Sequence, residues 1–285
     1  MGDRVVKVDL IAVPWDSGAR GVRMGAGPEH LLEIGIVEAL ERSGADVSVH
    51  MVEPDTSVFG GEIKIAFEIQ RLVAERVAHA LSRERFPIVL SGNCNTAVGT
   101  VAGMTRSSGS PPAVCWLDAH GDFNTPDTTP SGFLDGMAVA MLAGRCWHGM
   151  TSKIPGFVPV PENQIVMTGL RALDSLEEEN IEKSEVKRVP ISDAVSAIES
   201  TGRQELYLHV DLDVFDTSVG SANGYAVSGG LSRSDFMRFA ADARGRIAIG
   251  ACALTAYDPA YDADNRIGRL AVDIARGLAT GQGLV

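Results

Sequence analysis

Residues 113–124 read Ala113-Val114-Cys115-Trp116-Leu117-Asp118-Ala119-His120-Gly121-Asp122-Phe123-Asn124. The first five form an unbroken apolar run, too short for a helix and continuous rather than alternating. That pattern fits a parallel strand covered on both faces. The run stops at Asp118, and polar groups then alternate: Asp118, His120, Asp122. Alternation at a strand exit lets these three side chains converge, with the small residues Ala119 and Gly121 keeping the approach open. In open α/β sheets, ligands bind beyond the carboxyl ends of strands. The stretch therefore predicts both a fold class and the place of a site.

Working outward, the same grammar recurs. LYLHV (206–210) is followed by Asp211-Leu212-Asp213, with Asp216 shortly beyond, and FPIVL (86–90) by Ser91-Gly92-Asn93-Cys94-Asn95. Further strands are predicted at 5–14, 47–52, 164–168, 186–190 and 247–254. Helical spacing appears at 63–82, where Ile65, Ile69, Leu72, Val73 and Val77 share a face, and at 96–106, 136–143, 193–200, 233–244 and 266–279. Residues 173–181 read as an acidic loop or short helix, and Pro28 as a helix start. About eight strands separated by helical crossovers, with no linker rich in Ser, Pro or charge, predict one three-layer α/β/α domain over residues 1–285. Its sheet is expected to be eight-stranded and largely parallel.

Charge narrows the function classes. Lys and Arg number 25 against 37 Asp and Glu, a formal net charge of −12, which disfavours nucleic acid and anionic membranes as partners but not metal cations or small cationic substrates. No apolar run approaches the length of a membrane span. The four cysteines form no CxxC pair, and Gly2-Asp3-Arg4 leads straight into a strand-like run. The expectation is a soluble cytoplasmic protein without a disulfide framework.

Four carboxylates and an imidazole at the ends of two strands need a counter-charge, because buried carboxylates must be paired, hydrogen-bonded or metal-bound. Neither motif contains Lys or Arg. A divalent ion is the better candidate; oxygen and nitrogen ligation suits Mn²⁺, and so many carboxylates suit two ions sharing bridges. Cys94 stands between two asparagines at a strand exit, as a ligand, a reactive thiol or an inert packing residue.

The motif order along nearly the whole chain resembles the arginase–agmatinase–formiminoglutamase family of manganese ureohydrolases. Gly21, Gly25 and Gly27-Pro28 look like its early loop. Residues 91–103 look like its first metal motif, and 118–124 its central signature. Ser131-Gly132-Phe133-Leu134-Asp135-Gly136-Met137 is similar to its substrate loop. Gly169-Leu170-Arg171 with Asp174 and Glu177 resembles the segment near an α-amino group, His209-Val210-Asp211-Leu212-Asp213 the second metal motif, and Ala256-Tyr257-Asp258-Pro259 the last corner. The resemblance implies two Mn²⁺ per subunit, bridged by Asp118 and Asp211. Cys94 and Asp122 would complete one site, His120 and Asp213 the other. It implies hydrolysis of a linear C–N amidine bond, with Asn124 and Ser131 at the substrate carboxylate and Asp174 and Glu177 near its α-amino group. A homo-oligomer, trimer or hexamer, is implied by the same analogy.

The chain departs from that pattern at four positions. Cys94 stands where the family usually carries a histidine ligand, and Asn93 where an aspartate precedes it. Asp135 replaces a histidine proposed to shuttle protons, and Ala256 replaces the glutamate that grips the guanidinium. Loss of a carboxylate at 256 removes a charge-assisted partner, which Asp135 can replace from the facing loop. Three readings follow: an amidinohydrolase acting on an ω-modified guanidine, N-hydroxy-L-arginine preferred; another hydrolase of the family, acting on arginine, agmatine, a guanidino acid or formiminoglutamate; and a silent binding or regulatory relative.

Overall fold

The computed structural model describes residues 5–56 and 60–284. Ten strands are present among them: β1 (Lys7–Val13), β2 (Trp15–Asp16), β3 (Ala19–Arg20), β4 (Asp46–Met51), β5 (Phe86–Ser91), β6 (Ala113–Leu117), β7 (Ile165–Thr168), β8 (Lys187–Arg188), β9 (Glu205–Asp211) and β10 (Ala248–Thr255). Eight form one sheet in the order β4-β1-β5-β10-β9-β6-β7-β8, and every pairing in it is parallel. β2 and β3 form a separate small hairpin.

Continuous apolar strands follow from two covered faces. Val8, Leu10, Ile88, Leu90 and Leu208 pack in a cluster on one face, while Ile11, Val13, Val89, Trp116 and Tyr207 pack on the other. Successive residues thus serve opposite layers, as strand geometry requires. Each fully buried Leu or Ile contributes about 1.5–3 kcal/mol relative to exposure.

The helix Glu62–Ser82 lies against Ala97–Ser108. Small residues bring the two close: a Cβ added at Gly99 would sit 2.3 Å from the Gln70 carbonyl oxygen, and one at Gly103 2.7 Å from that of Ala74. This pairing clamps the segment after β5, which carries Cys94.

Differences from the predicted elements have local causes. The strand expected at 186–190 shrinks to the edge pair Lys187–Arg188, because Pro190 cannot donate to a ladder and instead precedes the helix Ile191–Glu199. The helix expected at 136–143 is a short 3₁₀ turn, Asp135–Met137, followed by Ala138–Leu142. Pro28 does open a helix, Gly27–Glu33, which breaks at the left-handed Gly35 (φ 94°) before Ile36–Arg42. The acidic segment at 173–181 is the helix Ser175–Glu182, closed at its start by a capping box between Asp174 and Glu177. No helix of the described residues is long and apolar enough to cross a membrane, and the four cysteines are free and buried.

Candidate metal centre

β5, β10, β9 and β6 are consecutive in the sheet, and the chain passes from β5 to β6 over the two strands added last. That is the switch point at which an open α/β sheet leaves a crevice. The carboxyl ends of these four strands deliver Cys94, Ala256, Asp211 and Asp118 to one place.

Asp118 leaves β6 with both oxygens engaged: Oδ1 accepts from the His120 N–H at 2.7 Å and Oδ2 from Trp116 Nε1 at 3.0 Å. Asp211 closes β9, accepting from the Asp213 N–H at 2.7 Å and from Cys94 Sγ at 3.1 Å. Asp213 accepts from the Ala119 N–H at 3.3 Å and from Asn223 Nδ2 at 3.3 Å. Two donor groups result, Cys94–Asp118–Asp211 and Asp118–His120–Asp213, with ligand atoms within 4.8 Å of one another in each. Asp118 belongs to both. Asp122 is outside these groups but lines the same cleft beside Cys94, His120 and Asp211. Its φ of 47° is left-handed, a conformation that a short polar side chain tolerates.

Burial dominates the electrostatics. Desolvation pushes Asp118 up to about 6, with Asp213 adding repulsion, and holds Asp122 and Asp211 well above the usual carboxylate range. The Cys94 thiol is raised by burial and then by four surrounding carboxylates. His120 moves the other way. Burial opposes its charge, but Nδ1 lies 3.3 Å from both Asp118 Oδ1 and Asp213 Oδ2, and those contacts push it up to about 12. Asp213 gains from the same contact and falls below its ordinary value despite burial. Arg171, the nearby guanidinium, donates instead to backbone carbonyls of Gly169, Asp213 and Val227.

Above this floor lies a cleft of about 440 Å³ whose wall includes Asn124, Ser131, Asp135, Asp174, Glu177 and Ala256. Asn124 Nδ2 donates to Asp174 Oδ2 at 3.0 Å, so the two form a polar pair at one end. Ser131 is exposed on its loop and accepts from the Phe133 N–H at 3.1 Å. Glu177 is buried, with its oxygens accepting from the Phe123 and Asp174 N–H groups at 2.9 and 3.3 Å. Gly121 admits it: a Cβ there would meet the Glu177 carboxyl carbon at 2.7 Å, so this glycine makes room for a brace rather than for an incoming ligand. Asp135 accepts from the Asn95 N–H at 2.8 Å and from Asn93 Nδ2 at 3.2 Å, and burial raises it to about 7. Asn93 Nδ2 also reaches Asp16 at 3.1 Å, so one amide bridges two carboxylates. Ala256 holds a left-handed backbone (φ 59°) at the cleft. Strained backbone of this kind concentrates at functional sites.

Sequence reasoning passed over Trp116 and Asn223. The first sits inside the apolar run 113–117, yet its indole N–H holds Asp118. The second lies in a glycine-rich loop without periodicity, yet its amide spans Asp213 and the Ala256 carbonyl, the latter at 2.8 Å. Trp116 stands at alternate spacing to Asp118, a signal that could have been read. Asn223 carries none.

The donor chemistry fits divalent cations. Carboxylates, an imidazole and a thiol converge, the Arg171 guanidinium is spent on backbone carbonyls, and burial leaves the carboxylates short of positive charge. Asp118, His120, Asp211, Asp213 and Cys94 could hold such ions, with Asp122 within the same wall.

Comparison with known proteins agrees with this geometry. A sequence profile described as the arginase family matches residues 6–280. An arginase of Brevibacillus brevis is 30% identical, over 93% of this chain and 95% of its own. The native arginase structure of Bacillus caldovelox superposes with a TM-score of 0.86 at 26% identity, covering 99% of this chain and all of its own. The Bacillus cereus arginase structure gives 0.85 at 26% identity, covering 98% and 100%. With a profile match along nearly its whole length, the chain belongs to the arginase family.

Proposed function

We propose that this chain is a manganese-dependent hydrolase of the linear C–N bond in a guanidino compound. Asp118 and Asp211 would bridge two Mn²⁺ ions, Cys94 and Asp122 would complete one site, and His120 and Asp213 the other. The observation that carries the reading is the sharing of Asp118 between two donor groups, each within 4.8 Å. Bound there, such ions would supply an acidified water and positive charge to offset negative charge at the reacting carbon.

The remaining work falls to the protein. Asp118 is held by the Trp116 indole and the His120 amide, so it meets a cation without reorganising. At the other end of the cleft, Asn124 and Ser131 would donate to a carboxylate and Asp174 would accept from an α-ammonium. Glu177 keeps Asp174 in place by holding its backbone N–H. Asp135, fixed by two donors, would pair with an N–H of the guanidino group or receive a proton from it.

The relatives named as arginases support arginine as the first substrate to test. A second reading, N-hydroxy-L-arginine, rests on Ala256 and Asp135: residue 256 itself offers no carboxylate to a plain guanidinium, while Asp135 in the same cleft can accept from an N–OH. The test is to incubate the Mn²⁺-loaded protein with arginine, N-hydroxy-arginine, agmatine and formiminoglutamate, reading urea, hydroxyurea, formamide and the released amine. Turnover of a guanidino compound supports the proposal. Turnover of formiminoglutamate alone, or of none of them, overturns it.

A further inference from the structure

Behind Cys94, away from the cleft, a file of polar side chains runs through the core. Tyr207 and His209 lie two apart on β9, and Thr255 ends β10. Tyr207 Oη is 2.8 Å from His209 Nδ1, His209 Nε2 is 3.1 Å from Thr255 Oγ1, and Thr255 Oγ1 is 3.1 Å from Cys94 Sγ. Tyr207, His209 and Thr255 are all fully buried. The His209 ring stacks on Trp116 with centroids 3.5 Å apart and planes parallel within 1°, and Trp116 holds Asp118 through its indole N–H.

An imidazole and a hydroxyl in an otherwise apolar layer are costly to desolvate, and apolar residues of the same shape would serve packing as well. Their arrangement satisfies every donor in one direction. Tyr207 donates to His209 Nδ1; His209, protonated at Nε2, donates to Thr255 Oγ1; the single Thr255 proton then has the sulfur at 3.1 Å as its nearer acceptor, ahead of the Val210 carbonyl at 3.4 Å. We propose that Tyr207, His209 and Thr255 form a positioning relay that delivers a hydroxyl hydrogen bond to Cys94 Sγ, aiming the sulfur into the metal site and steadying it as a bound thiolate. This rests on the reading of Cys94 as a ligand. The physical need is plain: a thiolate there joins Asp118, Asp122, Asp211 and Asp213, so the shell carries one more negative charge than two divalent ions supply. A neutral donor disperses charge on sulfur without adding a cation beside the ions, and partners behind ligands of this kind change metal affinity by about 10–100-fold.

The relay and the ligand reading can be separated with Co²⁺ as probe. Thiolate-to-cobalt charge-transfer absorption in the near ultraviolet reports the sulfur–metal bond directly, and competition with a chelator gives the Co²⁺ and Mn²⁺ affinities. The intact protein is expected to show the band and Cys94→Ser to lack it. Thr255→Val, which keeps the shape but removes the hydroxyl, is expected to shift or lose the band and weaken metal binding by about 10–100-fold. Thr255→Ser should restore both. His209→Phe, which keeps the stack on Trp116, should fall between them. A band absent from the intact protein overturns the ligand reading and the relay with it. A normal band and affinity in Thr255→Val overturn the relay alone. Equal losses in Thr255→Val and Thr255→Ser also overturn it, because packing rather than the hydroxyl would then be responsible.

Discussion

On one side of the centre, Asp118 and Asp213 share the imidazole of His120. On the other, Cys94 and Asp211 meet with only neutral donors of their own, Asp122 lines the same cleft, and Asp135 nearby is held by amides. The carboxylates of both sides are buried, so both face the same desolvation problem. The histidine side answers it from within, because a protonated imidazole can stand in for a cation. The cysteine side has no such resource, so in the proposed centre a bound cation would supply the counter-charge. Metal loading should therefore displace a proton on the histidine side and relieve uncompensated charge on the cysteine side.

The largest effect is expected at Asp118, which belongs to both donor groups, and at Asp211, proposed to bridge with it. Asp118→Ala or Asp211→Ala should remove both ions, seen as loss of metal by elemental analysis, and lower activity about 10³-fold or more, since several kcal/mol of charge stabilisation go with them. Full metal content in Asp118→Ala would refute bridging.

Next come the residues that belong to one side. Cys94→Ala and His120→Ala should each lower metal content by about one equivalent, and activity by about 10–100-fold, the scale on which ligand shells are tuned. If the two variants lose metal to the same extent and with the same change in proton release, the two sides are not distinct.

The pH dependence of the metal-free chain sharpens the contrast. Asp118 is raised from 3.8 to about 6, so the folded state binds its proton more tightly than the unfolded state. The associated stability is present below about pH 4 and lost as pH rises through about 6. Asp122 and Asp211 are shifted in the same direction. Melting temperature without metal should fall over this window, by a few degrees per kcal/mol lost, and Mn²⁺ should flatten the fall. A melting temperature that rises through the same window would contradict the assignment of uncompensated carboxylates.

What could be read from sequence follows from how each feature is encoded. Continuous runs such as AVCWL and LYLHV mark buried parallel strands because both faces demand apolar side chains, and carboxylates directly after them mark the site edge. The element ends were less legible where one residue overrides a pattern, as Pro190 does at β8 and Gly35 between two short helices. Groups that steady the centre were hidden for a different reason. Trp116 and His209 sit within apolar strands, and their polar atoms matter only through partners far along the chain. Asn223 acts across ten residues on Asp213, a spacing no local pattern records.

The smallest expected effect concerns the far end of the cleft. Asp174→Ala should weaken use of an α-amino substrate about tenfold more than use of its des-amino analogue, the equivalent of one charge-assisted contact of about 1.4 kcal/mol. Equal losses on both would place the substrate tail elsewhere, though the Asn124–Asp174 pair lies at that end.

The central claim is that the two sides form one centre for two cations. The most direct test is elemental analysis of the protein after Mn²⁺ loading and removal of free metal. The account predicts about two equivalents per chain in the intact protein, as carboxylates bridging two ions require, with about one in Cys94→Ala. No retained metal, or two equivalents retained in Cys94→Ala, would contradict it.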